Sequence, residues 1–188
     1  MSDVAAVDPI EVTLLKPFTF GEDYYRTLSF REPEVADFVL ADQVDDGLSN
    51  EAALLACMSG LPLPAFKRIK GRDWSRILSA TKVLVASDPL VKDNGVVRTG
   101  DDVEVTLLTP ITVGDKTYAA LLFREPDVGN LMVADQSKGK FARVAAILSA
   151  ISDTPMAAFG RIKGRDFHRI LAATEELLGN DSETTTGD

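Results

Sequence analysis

Two short basic segments carry the residue types with the clearest potential for chemistry. The hexapeptide Arg-Ile-Lys-Gly-Arg-Asp occurs at residues 68–73 and again at residues 161–166. Clustered guanidinium and ammonium groups can bind carboxylates or phosphates through charge-assisted hydrogen bonds. The candidate partner-binding cations in and beside these segments are Arg68, Lys70, Arg72, Arg76, Arg161, Lys163, Arg165 and Arg169.

Three interpretations of the basic segments are open at this stage. In the first, they are structural: the glycine turns the chain between two helices and the arginines pair with nearby acids. In the second, they form a docking surface for an acidic partner. In the third, they bind nucleic acid, but a net charge of −9 and the lack of interleaved aromatic residues argue against this. We therefore expect no nucleic-acid partner.

Other chemistry requires residue types that this sequence does not supply in suitable groups. Cys57 and His168 are the only cysteine and the only histidine, so they cannot build a His/Cys zinc site. The densest carboxylate groups, at residues 32–37 and 42–46, lack the Asx-Gly pattern of calcium loops and are interpreted as solvated helix faces. No phosphate loop, dinucleotide fingerprint or nucleophile elbow is found. We expect no enzymatic activity, no metal and no cofactor.

The composition is that of a folded protein. Of 188 residues, 45% are hydrophobic and 26% are charged, which is ordinary for a globular chain. The apolar runs are shorter than the roughly 18 residues of a membrane span, and no secretion signal opens the sequence. We therefore expect a cytoplasmic protein with no membrane partner.

A tandem repeat dominates the organisation of the chain. Four segments recur at one offset of 93 residues, as from Glu11 to Glu104, and no gap separates the two copies. This period far exceeds that of solenoid repeats, so each copy is expected to be a small domain. The predicted parts are a flexible N-terminus at 1–10, a first repeat at 11–86, a linker at 87–103, a second repeat at 104–179 and a flexible C-terminus at 180–188.

Each repeat is predicted to be a β-hairpin followed by about four α-helices, which makes the fold class α+β with two homologous small domains. Alternating β-branched and aromatic residues flank a turn at Gly21 and at Gly114. Pro17 and Pro110 predict a break in the first strand of each hairpin, because proline has no N–H for the strand ladder.

Helices are predicted where apolar residues recur three and four positions apart. The first helix of each repeat is expected to bury such a stripe, formed by Val35, Phe38 and Val39 or by Val128, Leu131 and Met132. The predicted boundary residues are Pro33 and Pro126 in the first turn of the first helix, Ser49 as N-cap of the second, and Gly71 and Gly164 ending the third in a left-handed conformation. Asp73 and Asp166 are predicted to precede the fourth helix, where a carboxylate can cap it or favour its positive end.

The small size of each repeat predicts an interface. About 75 residues bury only a limited core, so we expect an apolar face to be shared between the two repeats or between chains. The preferred interpretation is a pseudo-dimer within one chain.

The order of these features resembles a known family. The sequence VTLLKPFTFGEDYYRTLSFREPEVADF at residues 12–38 gives a hairpin and an Arg-x-Pro corner, and MSGLPLPAFKRIKGRDWSRILSATKVLV at residues 58–85 gives a Gly-Leu-Pro helix end and an Asp-led last helix. This arrangement resembles the tail assembly chaperones of Mu-like, contractile-tailed phages, and the resemblance covers both repeats. Two departures are the duplication itself and Ser-Asp-Thr-Pro at residues 152–155, where the first repeat has Ser-Gly-Leu-Pro.

The resemblance implies a non-catalytic role in tail assembly. It implies a chaperone that binds the tape measure protein, with the tail tube protein as a second candidate partner. It also implies action in the host cytoplasm, absence from the mature virion and a related longer product made by frameshifting. The alternatives left open are a structural tail or virion component and a small protein-interaction adaptor.

Overall fold

Both halves of the chain fold into the same succession of elements. The computed structural model describes residues 8–44, 50–85 and 95–179. The first repeat contains β1 (Ile10–Phe20), β2 (Asp23–Phe30), α1 (Val35–Asp42), α2 (Asn50–Ser59), α3 (Leu63–Phe66) and α4 (Gly71–Val85). A further strand, β3 (Val96–Thr99), precedes the second repeat, which contains β4 (Asp102–Val113), β5 (Lys116–Phe123), α5 (Val128–Ala134), α6 (Lys140–Ile151), α7 (Met156–Phe159) and α8 (Gly164–Ala173). The α+β class with two similar units is thus confirmed.

The two hairpins form as the sequence predicts. β1 pairs antiparallel with β2, and β4 pairs antiparallel with β5. Gly21 and Gly114 occupy the turns with φ of 62° and 60°, a left-handed conformation that glycine adopts without steric cost. The pairing register shifts in the stretch around Pro17 and in the stretch around Pro110, so the predicted strand breaks are confirmed.

The strand β3 was not predicted. It pairs antiparallel with β4 through a tight turn at Gly100, and it falls within the segment predicted as a linker. Its β-branched residues suit an edge strand, but the surrounding Asp, Asn and Gly residues obscured them. Residues 1–7 of the predicted flexible N-terminus, the predicted flexible C-terminus and the predicted N-cap Ser49 lie outside the described residues, and β1 already begins at Ile10.

Several helix boundaries differ from the predicted ones. Pro33 and Pro126 precede the N-cap residues Glu34 and Asp127 rather than lying in the first helical turn. The N-cap positions are stabilised locally, since the Asp37 carboxylate accepts a hydrogen bond from the Glu34 backbone N–H at 2.8 Å. Such a cap satisfies a helix terminus without proline.

The third and fourth helices also meet differently from the prediction. Gly71 and Gly164 begin α4 and α8 instead of ending α3 and α7, and neither has a positive φ. The prediction of a left-handed cap at these glycines is therefore wrong.

The first helices of the two repeats have opposite environments. Val35 of α1 is fully buried, whereas Val128, its counterpart in α5, is 72% exposed. Helix α1 packs on α2 of its own repeat and also on α6 of the other, while α5 packs on α6. The predicted burial of the α5 stripe is wrong, because no equivalent second helix covers it among the described residues.

The two repeats share one hydrophobic core. The cluster of buried side chains runs from Phe30 and Leu55 of the first repeat to Leu148 and Phe167 of the second. Contacts between α1 and α6, and between α4 and α8, join the two halves. An apolar face is thus shared within the chain, and α1 supplies much of it.

Candidate functional site

The predicted cations lie in two equivalent turns. We call residues 68–76 the first basic turn and residues 161–169 the second basic turn. Each connects the short third helix of its repeat to the last helix. The eight side chains divide into three groups by the partners that they contact.

The first group braces the hairpin against the last helix. In the first repeat, the buried Asp73 carboxylate accepts hydrogen bonds from the backbone N–H groups of Leu15 and Lys16 at 2.7 and 3.0 Å. Arg76 donates from Nη1 to the Thr13 carbonyl at 2.7 Å. These bonds satisfy backbone groups that lose their strand partners at the register shift.

The second repeat contains the same brace. Asp166 accepts from the N–H groups of Leu108 and Thr109 at 2.8 and 3.0 Å, and Arg169 donates to both Asp166 and the Thr106 carbonyl. Burial raises the pKa of Asp166, and these hydrogen bonds and the Arg169 charge oppose that rise. The capping alternative is wrong, because this aspartate lies inside the first helical turn and binds the hairpin. Its position does agree with the other alternative, a carboxylate near the positive end of the helix.

The second group also serves the hairpins. Arg68 donates from Nη1 to the Thr19 carbonyl, and Arg161 donates to the Thr112 carbonyl, both at 3.0 Å. Each arginine thereby ties its basic turn to the far end of the first hairpin strand. These contacts support the structural interpretation for Arg68, Arg76, Arg161 and Arg169, and their predicted role in partner binding stays a prediction.

The third group behaves differently in the two repeats. In the second basic turn, Arg165 donates from Nε to Oε1 of Glu32 at 2.9 Å, and Lys163 donates from Nζ to Oε1 of Glu34 at 2.7 Å. Glu32 is only 6% exposed, and hydrogen bonds to buried charges are stronger than those between neutral groups. These two cations therefore bind an acidic segment of the other repeat.

Backbone groups complete this contact between the repeats. The Gly164 N–H donates to the Pro33 carbonyl at 2.7 Å, and the Val35 N–H donates to the Ile162 carbonyl at 2.9 Å. A Cβ added at Gly164 would lie 2.9 Å from Cγ of Pro33, so glycine is required for this approach. We call the contacting residues Glu32, Pro33, Glu34, Val35 and Phe38 the α1 face.

An aromatic pocket receives the end of the α1 face. The Phe38 ring lies 5.4, 5.8 and 5.8 Å from the rings of Phe141, Phe167 and His168. Burial lowers the pKa of His168, and a hydrogen bond with the Val85 backbone partly offsets this. Its Nε2 atom is buried without a hydrogen-bond partner among the described residues, which favours the neutral ring.

The first basic turn has no such neighbour among the residues that the structure describes. Lys70 and Arg72, the counterparts of Lys163 and Arg165, are exposed, and neither side chain has a hydrogen-bond or ion-pair partner within the described ranges. Gly71 is likewise exposed, and a Cβ added there would meet no described atom within 4 Å. The surface that α1 covers on the second repeat is therefore open on the first.

The counterpart of the α1 face is open as well. It consists of Glu125, Pro126, Asp127, Val128 and Leu131, which we call the α5 face. All of these residues are exposed except Pro126, which is half-buried. Adjacent apolar side chains, Met132 among them, extend the exposed surface. A cluster of exposed apolar residues beside charged ones is characteristic of an interaction site.

Sequence reasoning missed the acidic half of the interface. Glu32 and Glu34 were interpreted as members of a solvated helix face, yet they bind the second basic turn. A signal was present: both repeats place two carboxylates around a proline and two cations around a glycine, at matching spacing. That complementarity could have suggested that one segment binds the other.

A separate apolar groove lies in the first repeat between α1, α2 and the turn after α2. Its volume is about 480 Å³, and its lining is Leu40, Val44, Ala53, Ala56, Cys57, Gly60, Leu61, Pro62 and Leu63. We call it the α1–α2 groove. Cys57 is half-buried in its wall, and burial raises the pKa of the thiol. This cysteine is thus an apolar wall residue rather than a reactive thiolate.

The second repeat has polar residues at several of the corresponding positions, of which Ser149 and Thr154 are buried. Ser137, Ser149, Asp153 and Thr154 take the places of Val44, Ala56, Gly60 and Leu61. The apolar character of the α1–α2 groove is therefore a property of the first repeat.

Comparison with known proteins gives one family match. Residues 11–81 and 104–179 match the family model of phage tail assembly chaperone proteins, E, or 41 or 14. The two matched regions correspond to the two repeats. No curated protein and no solved structure matches the chain. Among the described residues, no helix combines the length and apolar character needed to cross a membrane.

Proposed function

The chain belongs to the phage tail assembly chaperone family, and on that premise we propose that it binds the tape measure protein and keeps it soluble until the tail tube forms around it. The observation that carries this proposal is the family match over both repeats. The protein acts without catalysis, in the host cytoplasm, and is absent from the mature virion. The tail tube protein is the second candidate partner.

The α1–α2 groove is the proposed binding site for a helix of the tape measure protein. Its volume of about 480 Å³ is within the range of binding clefts, which is roughly 300–1,000 Å³. Its lining is apolar, and an amphipathic helix inserts its apolar side chains into such a groove. Leu40 borders the groove and is 55% exposed, so it is available to a partner.

An acidic chain suits this role. The net charge of −9 discourages binding to phage DNA and keeps a complex with an apolar partner from aggregating. The groove supplies the apolar contact, while the surrounding charge keeps the complex hydrated.

Co-expression with fragments of the tape measure protein tests the proposal. The wild-type chain is expected to co-purify with a fragment and to raise the fraction recovered in the supernatant. Leu40→Asp places a charge at the rim of the groove and is expected to abolish capture. Val133→Asp changes the exposed counterpart of Leu40 in the second repeat and is expected to retain it.

Two results would contradict the proposal. If no fragment co-purifies and tape measure solubility is unchanged, the chaperone role with this partner is wrong. If mass spectrometry finds the chain in purified virions at the copy number of a tail component, a structural role replaces it.

A further inference from the structure

The two exposed surfaces, the α5 face and the first basic turn, are complementary in the same way as the α1 face and the second basic turn that contact each other within the chain. We propose that the α5 face of one chain binds the first basic turn of a second copy of the same chain, in the geometry that joins the α1 face to the second basic turn. This inference concerns self-assembly and does not depend on which tail protein the chain binds.

The charges of the open surfaces match those of the closed interface. Within the chain, Glu32 binds Arg165 and Glu34 binds Lys163. The counterpart of Glu32 in the other repeat is Glu125, and the counterpart of Arg165 is Arg72. Both side chains of this counterpart pair are exposed. Opposite charges at one spacing set both attraction and register between two surfaces.

The second counterpart pair is Asp127 with Lys70, and both of these side chains are exposed as well. The Lys163–Glu34 bridge that it would reproduce measures 2.7 Å. Aspartate is one methylene shorter than glutamate, which the flexible lysine stem can accommodate.

The backbone contacts can be repeated without steric conflict. Gly164 approaches Pro33 closely in the closed interface, and the equivalent residues are Gly71 and Pro126. Gly71 lies in the first turn of α4 with an ordinary φ, and no described atom would meet a Cβ there. Glycine costs helix stability relative to alanine, and nothing among the described residues requires it at that position. Glycine is required at residue 71 if Pro126 of a second copy approaches it closely.

The side chains that differ between the two interfaces change in compensating ways. Ala36 lies over Gly160 in the closed interface, where a Cβ at residue 160 would be 3.6 Å from that of Ala36. In the open surfaces the receiving residue is Lys67 and the approaching residue is Gly129. A Cβ is thus gained at residue 67 and lost at residue 129, so the contact between these two positions involves no additional Cβ.

The aromatic pocket shows a similar exchange of volume. Phe38 packs on Phe167 in the closed interface. Its counterpart Leu131 is smaller, and the counterpart of Phe167 is the larger Trp74, which is partly exposed. The counterpart of Phe141 lies outside the described residues. Leu131 is exposed in the chain and would be buried against the indole in the assembly.

The geometry decides the kind of assembly. A two-fold contact would be reciprocal, but within the chain the α1 face covers the second basic turn while the α5 face and the first basic turn are exposed, so the contact is one-sided. Each chain therefore offers one α5 face and one first basic turn, and successive chains can add head to tail. Such contacts produce rings where the rotation closes and filaments where it does not.

Sedimentation equilibrium of the full chain at increasing concentration tests the proposal. The wild-type mass is expected to rise above the monomer value of 20.3 kDa. Arg72→Glu and Glu125→Arg each place like charges together and are each expected to weaken association at least about tenfold. Both residues are exposed, so circular dichroism is expected to show an unchanged fold.

Mixing the two charge-reversal variants gives the most specific result. At one junction of the mixture, Glu125 of the Arg72→Glu variant meets Arg72 of the Glu125→Arg variant, as in the wild type. At the other junction, the two reversed side chains meet and attract each other. An equimolar mixture is therefore expected to associate like the wild type, although each variant alone associates at least about tenfold more weakly. Arg26→Glu, which reverses an exposed charge on β2, is the matched control and is expected to associate like the wild type.

A glycine variant supplies an independent test. Gly71→Ala has room for its Cβ within the chain and is expected to leave the monomer folded while blocking association. The proposal is overturned if the wild type remains a monomer at all concentrations or if Gly71→Ala associates normally. It is also overturned if the wild type never self-associates and the Arg72→Glu variant no longer captures the tape measure protein. The first basic turn would then bind that partner instead of a second copy of the chain.

Discussion

The two repeats are alike inside and different outside. Each holds its hairpin to its last helix with an aspartate and an arginine at equivalent positions. Their surfaces diverge because α1 covers the second basic turn, while the first basic turn and α5 remain open. The comparison shows that two copies of one sequence can have different environments. The first repeat contributes its α1 face to the contact between the repeats, and the second contributes its basic turn.

The largest expected effect comes from removing the internal brace. Asp73→Ala and Asp166→Ala each leave two backbone N–H groups without their acceptor and an arginine without its carboxylate partner. A broken buried ion pair costs about 3–5 kcal/mol, which is the loss expected for Asp166→Ala. Asp166→Ala is expected to cost more, because Arg169 is buried and Arg76 is not. Urea unfolding of each variant measures the loss. If neither variant lowers the free energy of unfolding by more than the experimental error of the wild-type value, the shared brace does not stabilise the fold.

The next effect separates the two glycines of the basic turns. Gly164→Ala brings a Cβ against Pro33 and is expected to lower the free energy of unfolding by about 1–3 kcal/mol. Gly71→Ala is expected to raise it by about 0.4–1 kcal/mol, because alanine reduces the conformational entropy of the unfolded chain and no described atom obstructs its Cβ. Thermal unfolding at a concentration where the chain is monomeric tests this difference in sign. Destabilisation of both variants alike would show that Gly71 has a neighbour within the chain.

The acidic residues before the first helices give a smaller contrast. Glu32→Gln removes a buried charge from its bond with Arg165 and is expected to cost about 1.5–3 kcal/mol. Glu125→Gln changes an exposed side chain and is expected to alter stability by less than about 0.5 kcal/mol. Chemical denaturation of the two variants under identical conditions is the measurement. A large loss for Glu125→Gln would place that residue in an intrachain contact.

The smallest effect concerns pH and the single histidine. Burial lowers the pKa of His168 below its usual 6.5, so the unfolded chain takes up a proton at a higher pH than the folded chain does. Stability is therefore expected to fall as the pH drops below about 6.5, with a slope of at most about 1.4 kcal/mol per pH unit from this group. His168→Asn removes that component, while the first repeat, with Ser75 at this position, never had it. If both proteins lose stability identically between about pH 6.5 and 5, His168 does not titrate in this way.

The sequence predicted what local chemistry determines. The glycine turns, the proline breaks and the number of helices follow from residues within each repeat, and the structure contains all of them. The last helices were also anticipated from their apolar stripe, in which Ile77 and Ile170 are fully buried.

The sequence could not predict which copy of a surface is covered. Val35 and Val128 are the same residue in the same local pattern, yet only Val35 has a second helix against it among the described elements. Likewise, Arg72 and Arg165 share the same hexapeptide, and their environments differ only because of how the repeats pack. Tertiary packing therefore determines where the eight cations lie. Four contact the hairpins, two lie in the interface between the repeats and two are exposed.

Zero-length carbodiimide cross-linking most directly tests the claim that the open surfaces repeat the closed interface between chains. An equimolar mixture of ¹⁴N- and ¹⁵N-labelled wild-type chains is cross-linked and its peptides are identified by mass spectrometry. Lys163 and Glu34, whose side-chain atoms lie 2.7 Å apart, are expected to couple within one chain and provide the internal control. We predict a Lys70–Asp127 product that joins differently labelled chains. Recovery of the control product without that interchain product, at a concentration where the chain associates, would contradict the account.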